Sequence, residues 1–554
     1  MNLGDGSSIQ LNGILAASQL NMFTNSLLSG NGGINGNLVN NGVVSPGNSP
    51  GSIRVSGNYT QSRTGTLRIE VGGTSAADYD RLIVGGTAQL DGELQLVKLN
   101  RFELKRGDKI TILTAGHGVE GEFAAVLSPY PAGTILNPTV VYDDDRVVIE
   151  VPTFAQFAAR TYLPPNQRAV AGALDSVSAD KPNDAALVYL DQRQLSQLPA
   201  DFDKIAPEEL TSIFTISTSL ATVQSINLQR RTEDLRQGAS GFSASGLAMQ
   251  GTGPGYSGSL NGGVAGPRGQ ESKELKAVAP EEKKWGAFVT GVGEWVDVGG
   301  DGNARGYDIT TGGFTLGLDY KVTPNFAVGI SAGYAGTAAD LNDGGDVRVN
   351  GGKLGLYATY FTGGFYVDAA LAGGFNSYDT ERAGLQGKAR GSTDGGEFNA
   401  LFGAGYDWKI GALSIGPTAT FAYTLVGIDG YTETGSLAPL NIHGDNAESV
   451  QTTLGFKASY DWKVGGVIIR PEIRAAWLHE YGDRSYGLNA SFANGAGHNF
   501  LVHGPTLGRD SLLLGAGFAI QCSERYSTYF YYDGEFGRSN YDRNAVSGGV
   551  RIAF

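Results

Sequence analysis

The feature that most limits this chain is a two-residue rhythm. From Trp285 to Phe554, runs of about 10–15 residues carry apolar or aromatic side chains at every second position. Phe398, Ala400, Phe402, Ala404, Tyr406 and Trp408 share one face of such a run; Asn399, Leu401, Gly403, Gly405 and Asp407 share the other. No window of about 18 uninterrupted apolar residues occurs, so a membrane-spanning helix is excluded. The 84 glycines, 25 tyrosines and 24 phenylalanines among 554 residues suit strands and tight turns. Those glycines lack the three-residue period of collagen. A single cysteine, Cys522, excludes a disulfide scaffold, and a net charge of −14 argues against nucleic acid as a partner.

Twelve such strands are expected, starting near Trp285, Asp308, Phe326, Gly351, Phe365, Phe398, Leu413, Val450, Val467, Ser511, Tyr526 and Ala545. Each is long enough to cross a bilayer as a tilted strand. The face opposite the apolar one carries charge: Arg470, Glu472, Arg474, Glu480, Asp533, Glu535 and Arg551. In a soluble sandwich the apolar face would be the core. In a membrane barrel it meets lipid, and the charges line the lumen. Two features favour the barrel. Connections after even-numbered strands are tight (322–325, 362–364, 409–412, 463–466, 523–525), whereas those after odd strands are usually longer, as at 482–510. Tyr320, Tyr360, Phe365, Tyr406, Trp408, Tyr460 and Trp462 fall beside the tight connections, as an interfacial girdle does.

Upstream, residues 30–150 alternate in shorter runs such as Thr66-Leu67-Arg68-Ile69-Glu70-Val71 and Asp80-Arg81-Leu82-Ile83-Val84, with Gly, Asn and Pro between them. Strands this short need neighbours above and below, which a parallel β-helix supplies. Residues 155–236 lose glycine and read as helices over 166–178 and 183–197. A longer helix is expected from Pro207 to about Arg236, roughly 45 Å at 1.5 Å per residue. Glu208 and Glu209 lie at its positive end and Arg230, Arg231 and Arg236 at its negative end. Residues 237–284 are a Gly-rich linker with a charged close. The fold class expected is therefore all-β with a helical linker: a parallel β-helix followed by a 12-stranded antiparallel membrane barrel. The divisions are 1–96 for the β-helical segment, 97–154 for its cap, 155–236 helical, 237–284 linker and 285–554 barrel.

Gly47-Asn48-Ser49-Pro50-Gly51 has the spacing of a nucleophile elbow. The residue after the serine must donate its N–H to an oxyanion, and Pro50 has none. Gly253-Pro254-Gly255-Tyr256-Ser257-Gly258 lacks the strand and helix that a nucleotide loop requires. Arg106-Gly107-Asp108 reads as a turn, and Asp143-Asp144-Asp145 as a solvated hairpin. His117, His443, His479, His498 and His503 show no metal-ligand spacing. No catalytic, cofactor-binding or metal-binding residues are expected, nor an enzyme. The first residues lack the basic and apolar regions of a secretory signal; the expectation is a start downstream of a lost leader.

The chain resembles the bacterial autotransporters of the type V secretion class. The residues that carry the resemblance are Trp285-Gly286 at the barrel start, Arg470-Pro471-Glu472, Trp477-Leu478-His479-Glu480, Tyr532-Asp533-Gly534-Glu535-Phe536 and Phe554, with Ser45 to Gly51 and Asp80 to Val84 upstream. The resemblance implies an outer-membrane barrel that exports its own N-terminal passenger to the cell surface, the passenger being adhesive or structural. Implied partners are outer-membrane lipid, the barrel assembly machinery and periplasmic chaperones, with a host or surface ligand left open. Val550, Ile552 and Phe554 are its implied assembly signal. The lumen charges Arg470, Glu472, Arg474, Asp533, Glu535 and Arg551 are expected to keep the pore polar and hold a plug, Arg470 and Glu472 pairing with Asp533 and Glu535. The family also implies a pore helix; of 207–236 and 271–284, the shorter is expected there because it joins the first strand directly. Cys522, beside a periplasmic turn, is expected to be inert. Alternatives are an outer-membrane channel with an N-terminal β-rich extension, or a β-helix polysaccharide-active enzyme.

Overall fold

Short strands at the N-terminus find their partners by stacking. The computed structural model describes residues 1–130, 134, 138–153, 156–159, 162–236, 284–523 and 525–553. Two compact units form: one of Met1–Leu163, Gln167–Ile205 and Asn494–Asn499, the other of Pro164–Asn166, Ala206–Ala493 and Phe500–Phe554.

In the first unit the strands from Asn2 to Leu127 pair in parallel with strands of the adjacent turns. This is the stacking of a parallel β-helix. Leu20, Leu38, Tyr59 and Ala88 lie one above another in register, and Leu28, Val44, Leu67 and Leu94 do so in a second sheet. All eight are fully buried, each large one contributing about 1.5–3 kcal/mol by leaving water. Asparagines hold the corners. Asn37 accepts the N–H of Asn58 at 2.9 Å, and Asn58 accepts that of Thr87 at 3.0 Å. Gly57 sits in the same corner because a Cβ there would lie 2.2 Å from the Asn37 carboxamide. The stack ends where Arg146–Glu150 pairs antiparallel with Lys109–Ala115 and with Thr139–Asp143. Reversing the strand direction closes the parallel edge. Arg106 is buried here and donates twice to Asp191, at 2.8 and 2.5 Å, so its tripeptide is not displayed.

The helices are α1 Pro165–Asp180, α2 Ala185–Asp191, α3 Leu198–Ile205 and α4 Ser212–Arg236. The expected helix over 183–197 therefore stops at Asp191 and a separate α3 follows. Asp184 caps α2 by accepting the Ala186 N–H at 2.9 Å. Pro207 does not open the long helix: a 3₁₀ turn, Glu208–Thr211, intervenes, so α4 is about 37 Å long rather than 45 Å.

The second unit contains a closed antiparallel barrel. Its strands are β1 Trp285–Val298, β2 Tyr307–Thr323, β3 Phe326–Leu341, β4 Asp346–Thr362, β5 Phe365–Gly384, β6 Gly387–Tyr406, β7 Leu413–Ile428, β8 Asp445–Tyr460, β9 Val467–Glu480, β10 Asp510–Gln521, β11 Tyr526–Arg538 and β12 Tyr541–Ala553. Each pairs with its sequence neighbours, and β12 returns to β1 from Gly286↔Ala553 to Asp297↔Asp542. Twelve strands are as expected. Several run further out than their apolar stretch: β6 begins at Gly387, not Phe398, because 387–397 is polar and continues the hairpin beyond lipid. The same extension shortens the outer connections. Only two residues, 385–386 and 539–540, separate β5 from β6 and β11 from β12, so loop length follows strand parity less strictly than expected. Among the described residues no helix is long and apolar enough to cross a membrane.

Candidate functional site

The barrel's inner face is polar, and α4 fills it. Nearly every α4 side chain is buried although the helix has no apolar stripe, since most are Ser, Thr, Asn, Gln or charged. A helix polar all round needs polar partners on all sides, and the inward positions of the strands supply them. This corrects the expected pore segment: the 207–236 region provides the helix in the lumen. Residues 271–283 lie outside the described residues.

The last two turns of α4 hold the densest contacts. Arg231 donates twice to Asp319 of β2, at 2.7 and 2.8 Å, and the Tyr357 hydroxyl donates to the same carboxylate at 2.9 Å. Arg236 reaches Asp368 of β5 at 2.5 and 2.7 Å. Glu233 meets Lys457 of β8 at 2.6 Å and Arg474 of β9 at 3.9 Å. Arg230 pairs with Asp533 of β11, and Asp234 with Arg551 of β12. Arg230 and Arg236 lie 3.6 and 3.8 Å above the Tyr531 and Tyr366 rings. Five consecutive or near-consecutive charges of one helix thus engage six different strands.

Glycines on the wall make room for these rings. Gly517 faces Tyr531 across β10 and β11, and a Cβ there would lie 2.2 Å from the ring. Gly549 does the same for Tyr529, and Gly405 for Tyr366. Toward the outer end the α4 side of the contacts becomes hydroxyl: Thr215 hydroxyl to Tyr307 hydroxyl at 2.8 Å, Ser217 to Tyr378 at 2.7 Å, and Ser219 to the Glu294 carboxylate. At the mouth Arg305 lies 3.2 Å from Glu208 and 3.5 Å from Glu209. Burial, with the neighbouring Asp343 and Glu208 carboxylates, pushes Glu209 up to about 8 despite Arg305. A four-stranded sheet of Tyr431–Thr432, Leu440–Ile442, Gly487–Phe492 and Phe500–His503 stands outside the barrel strands. Beside it Tyr486 meets Phe214 of α4 with ring centroids 5.6 Å apart. Between α4 and the wall of β5–β12 remains a cavity of ≈150 Å³, lined by Ser225, Gln229, Asn399, Thr420, Gln451 and Arg543 among others.

All six lumen charges singled out in the sequence point inward, but their pairing differs from that expected. Arg470 binds Asp461 at 2.5 Å and Glu472 binds Arg474 at 2.6 Å. Glu535 accepts from Ser511 at 2.9 Å and lies 3.5 Å from Arg543. The reason is register: Arg474, Gly515 and Asp533 share one row, while Arg470 aligns with Ala519 and Tyr529. Asp319, Asp368, Lys457, Glu294 and Arg543 were missed. Their signal is a charged residue at an inward position of an otherwise alternating strand. Val550 and Ile552 face outward on β12, 43% and 40% exposed; Phe554 lies outside the described residues. His479 also faces outward, and among the described residues no group of three or more His, Cys, Asp or Glu suits a metal ion.

The sequence profile of the autotransporter β-domain family matches residues 287–533. An extracellular serine protease of Serratia marcescens is 25% identical over 577 residues, covering 97% of this chain and 52% of the relative. The esterase EstA of Pseudomonas aeruginosa is 27% identical over 243 residues, 40% of this chain and 36% of the relative. The chain spans about half the length of the extracellular serine proteases it matches. Among solved structures, the translocator domain of the autotransporter NalP from Neisseria meningitidis matches at 14% identity and a TM-score of 0.41, covering 49% of this chain and 88% of that one. The relatives' names overturn the expectation of a non-enzymatic protein. That expectation came from motifs within a chain that matches only about half of such relatives.

Proposed function

We propose that this chain is a bacterial autotransporter: its C-terminal barrel, matched over residues 287–533 by the autotransporter β-domain family, sits in the outer membrane and exports the segment N-terminal to it. The β-helix and its antiparallel cap are the exported, folded part at the cell surface. The observation that carries this reading is α4 in the lumen, ion-paired to six strands. A polar chain passing a polar wall stays solvated. When export ends, the last segment folds into a helix whose charges meet the wall, and the pore shuts. A permanently open channel has no use for such a helix, which disfavours the channel alternative. Val550 and Ile552 face outward, and with Phe554, which continues their alternation in the sequence, they are the signal that the assembly machinery reads. The exported part belongs to a hydrolytic passenger, as the serine protease and esterase names of the relatives suggest.

Protease shaving of intact cells tests export. Residues 30–150 are digested while the barrel stays protected; protection of both, with the barrel inserted, ends this reading. Labelling of the same cells by a fluorophosphonate probe tests the hydrolytic part, and an unlabelled natural protein removes it.

A further inference from the structure

The outer wall carries a constellation that export does not use. Trp477, His479 and Tyr481 occupy alternate positions on and just beyond β9, so all three face outward. Ring centroids of Trp477 and His479 are 5.6 Å apart, and those of His479 and Tyr481 are 4.5 Å apart, edge to face. Asp510, the first residue of β10, stands directly opposite His479. It accepts the Trp477 Nε1–H at 2.9 Å and lies 2.7 Å from His479 Nδ1. Thr452 of β8 donates to the Tyr481 hydroxyl at 3.3 Å. Trp477 and Tyr481 are 45% and 54% exposed, and the Asp510 side chain 60%.

The height of this group follows from its neighbours. On the same outer face, toward the periplasm, the exposed residues become Ile473, Leu512, Leu514 and Phe518. The constellation therefore sits where the apolar band ends, continuous with the lipid-facing surface, at the headgroup level of the outer leaflet. An interfacial aromatic residue needs only an apolar body and one polar tip. A carboxylate held against the rings by two of them adds something else: an acceptor fixed beside aromatic faces. Rings that stack on the C–H face of a pyranose, with a carboxylate and an imidazole to take its hydroxyls, form a carbohydrate site.

We propose that Trp477, His479, Tyr481 and Asp510 form a platform on the barrel's outer wall that holds the sugar headgroup of a glycolipid in the outer leaflet. The inference rests on the barrel's insertion in the outer membrane and not on export. The rings supply contact area at little entropic cost, and Asp510, already oriented, needs no rearrangement to accept a hydroxyl.

The test inserts the purified full chain into phosphatidylcholine vesicles, alone or with rough lipopolysaccharide or phosphatidylglycerol added. The readouts are the thermal unfolding midpoint of the barrel, by loss of its compact electrophoretic form, and Trp emission. Lipopolysaccharide raises the midpoint by about 3 °C or more through binding to the folded state, and phosphatidylglycerol does not. Trp477→Ala with Tyr481→Ala loses at least half of that rise, Asp510→Asn lowers it, and Trp477→Phe keeps most of it. Phe375→Ala, an outward aromatic on β5, leaves it intact. An equal rise in the double variant and the parent overturns the proposal, as does an equal rise with phosphatidylglycerol, which marks a charge effect. The compact form in phosphatidylcholine alone reports insertion separately, and Asp510→Asn and Trp477→Phe keep the test available where the double variant does not assemble.

Discussion

The β-helix and the barrel are built from the same alternating strands and turned opposite ways out. In the β-helix, Leu38, Leu67 and Leu82 point inward and are fully buried, while Asn and Gly hold the corners. In the barrel, Leu354, Leu356 and Phe402 point outward at 71%, 59% and 52% exposure, and Arg231, Asp319 and Glu294 fill the interior. The difference teaches that alternation specifies a two-faced sheet and leaves open which face is the core. Solvent decides: water drives apolar faces together, whereas lipid accepts them and leaves the polar faces to find each other.

Substitutions of the same kind in the two regions test that inversion. The largest effect is expected in the lumen. Arg231→Ala leaves Asp319 buried without its bidentate partner, a loss of about 3–5 kcal/mol, read as a lower unfolding midpoint of the inserted barrel. Asp319→Asn added to it recovers part of the loss, because no uncompensated charge remains. In the β-helix the sensitive residues are apolar. Leu82→Ala costs about 2–5 kcal/mol from the lost contact and the cavity left behind, measured by urea unfolding of that unit's transition. Leu356→Ala on the lipid face costs much less, while Leu356→Arg, facing hydrocarbon, costs about 2–4 kcal/mol. Equal costs for Leu82→Ala and Leu356→Ala would collapse the comparison.

A corner change is smaller. Asn58→Ala removes the acceptor for the Thr87 N–H, about 1 kcal/mol, detected as a shift in the same urea midpoint. The smallest effect is one of pH. Burial pushes the Asp80 carboxyl in the β-helix up to about 7, outweighing the N–H groups of Glu70 and Gly51 that it accepts at 3.0 and 2.8 Å. The folded form therefore holds its proton more tightly than the unfolded chain. Stability from this group is fully present below about pH 4 and is lost as pH rises through 7. Asp80→Asn flattens that slope in a urea titration across the range.

Most of the barrel was legible in its sequence. Phe398 to Trp408 already separates the lipid face from the lumen face, and the tight Gly363–Gly364 and Gly465–Gly466 turns mark the periplasmic end. Arg474, Asp533 and Arg551 were recognisable as lumen residues for the same reason. Their partners were not. Arg230 and Asp533 are separated by 303 residues, and no local pattern joins them. Nor does periodicity announce α4 as a pore helix. It has no apolar stripe to declare a buried face, so the shorter segment next to Trp285 was the simpler expectation.

What the sequence by itself determined is the set of faces: strand number in the barrel, stacked short strands upstream, and the inward sense of charges such as Arg474, Asp533 and Arg551. These follow from side chains alternating along an extended backbone, a property of single strands. What only the tertiary structure decided is who meets whom. Register set Arg474 rather than Arg470 in the row of Asp533, closure of β12 on β1 enclosed a lumen, and that enclosure gave a helix without an apolar face a complete set of partners.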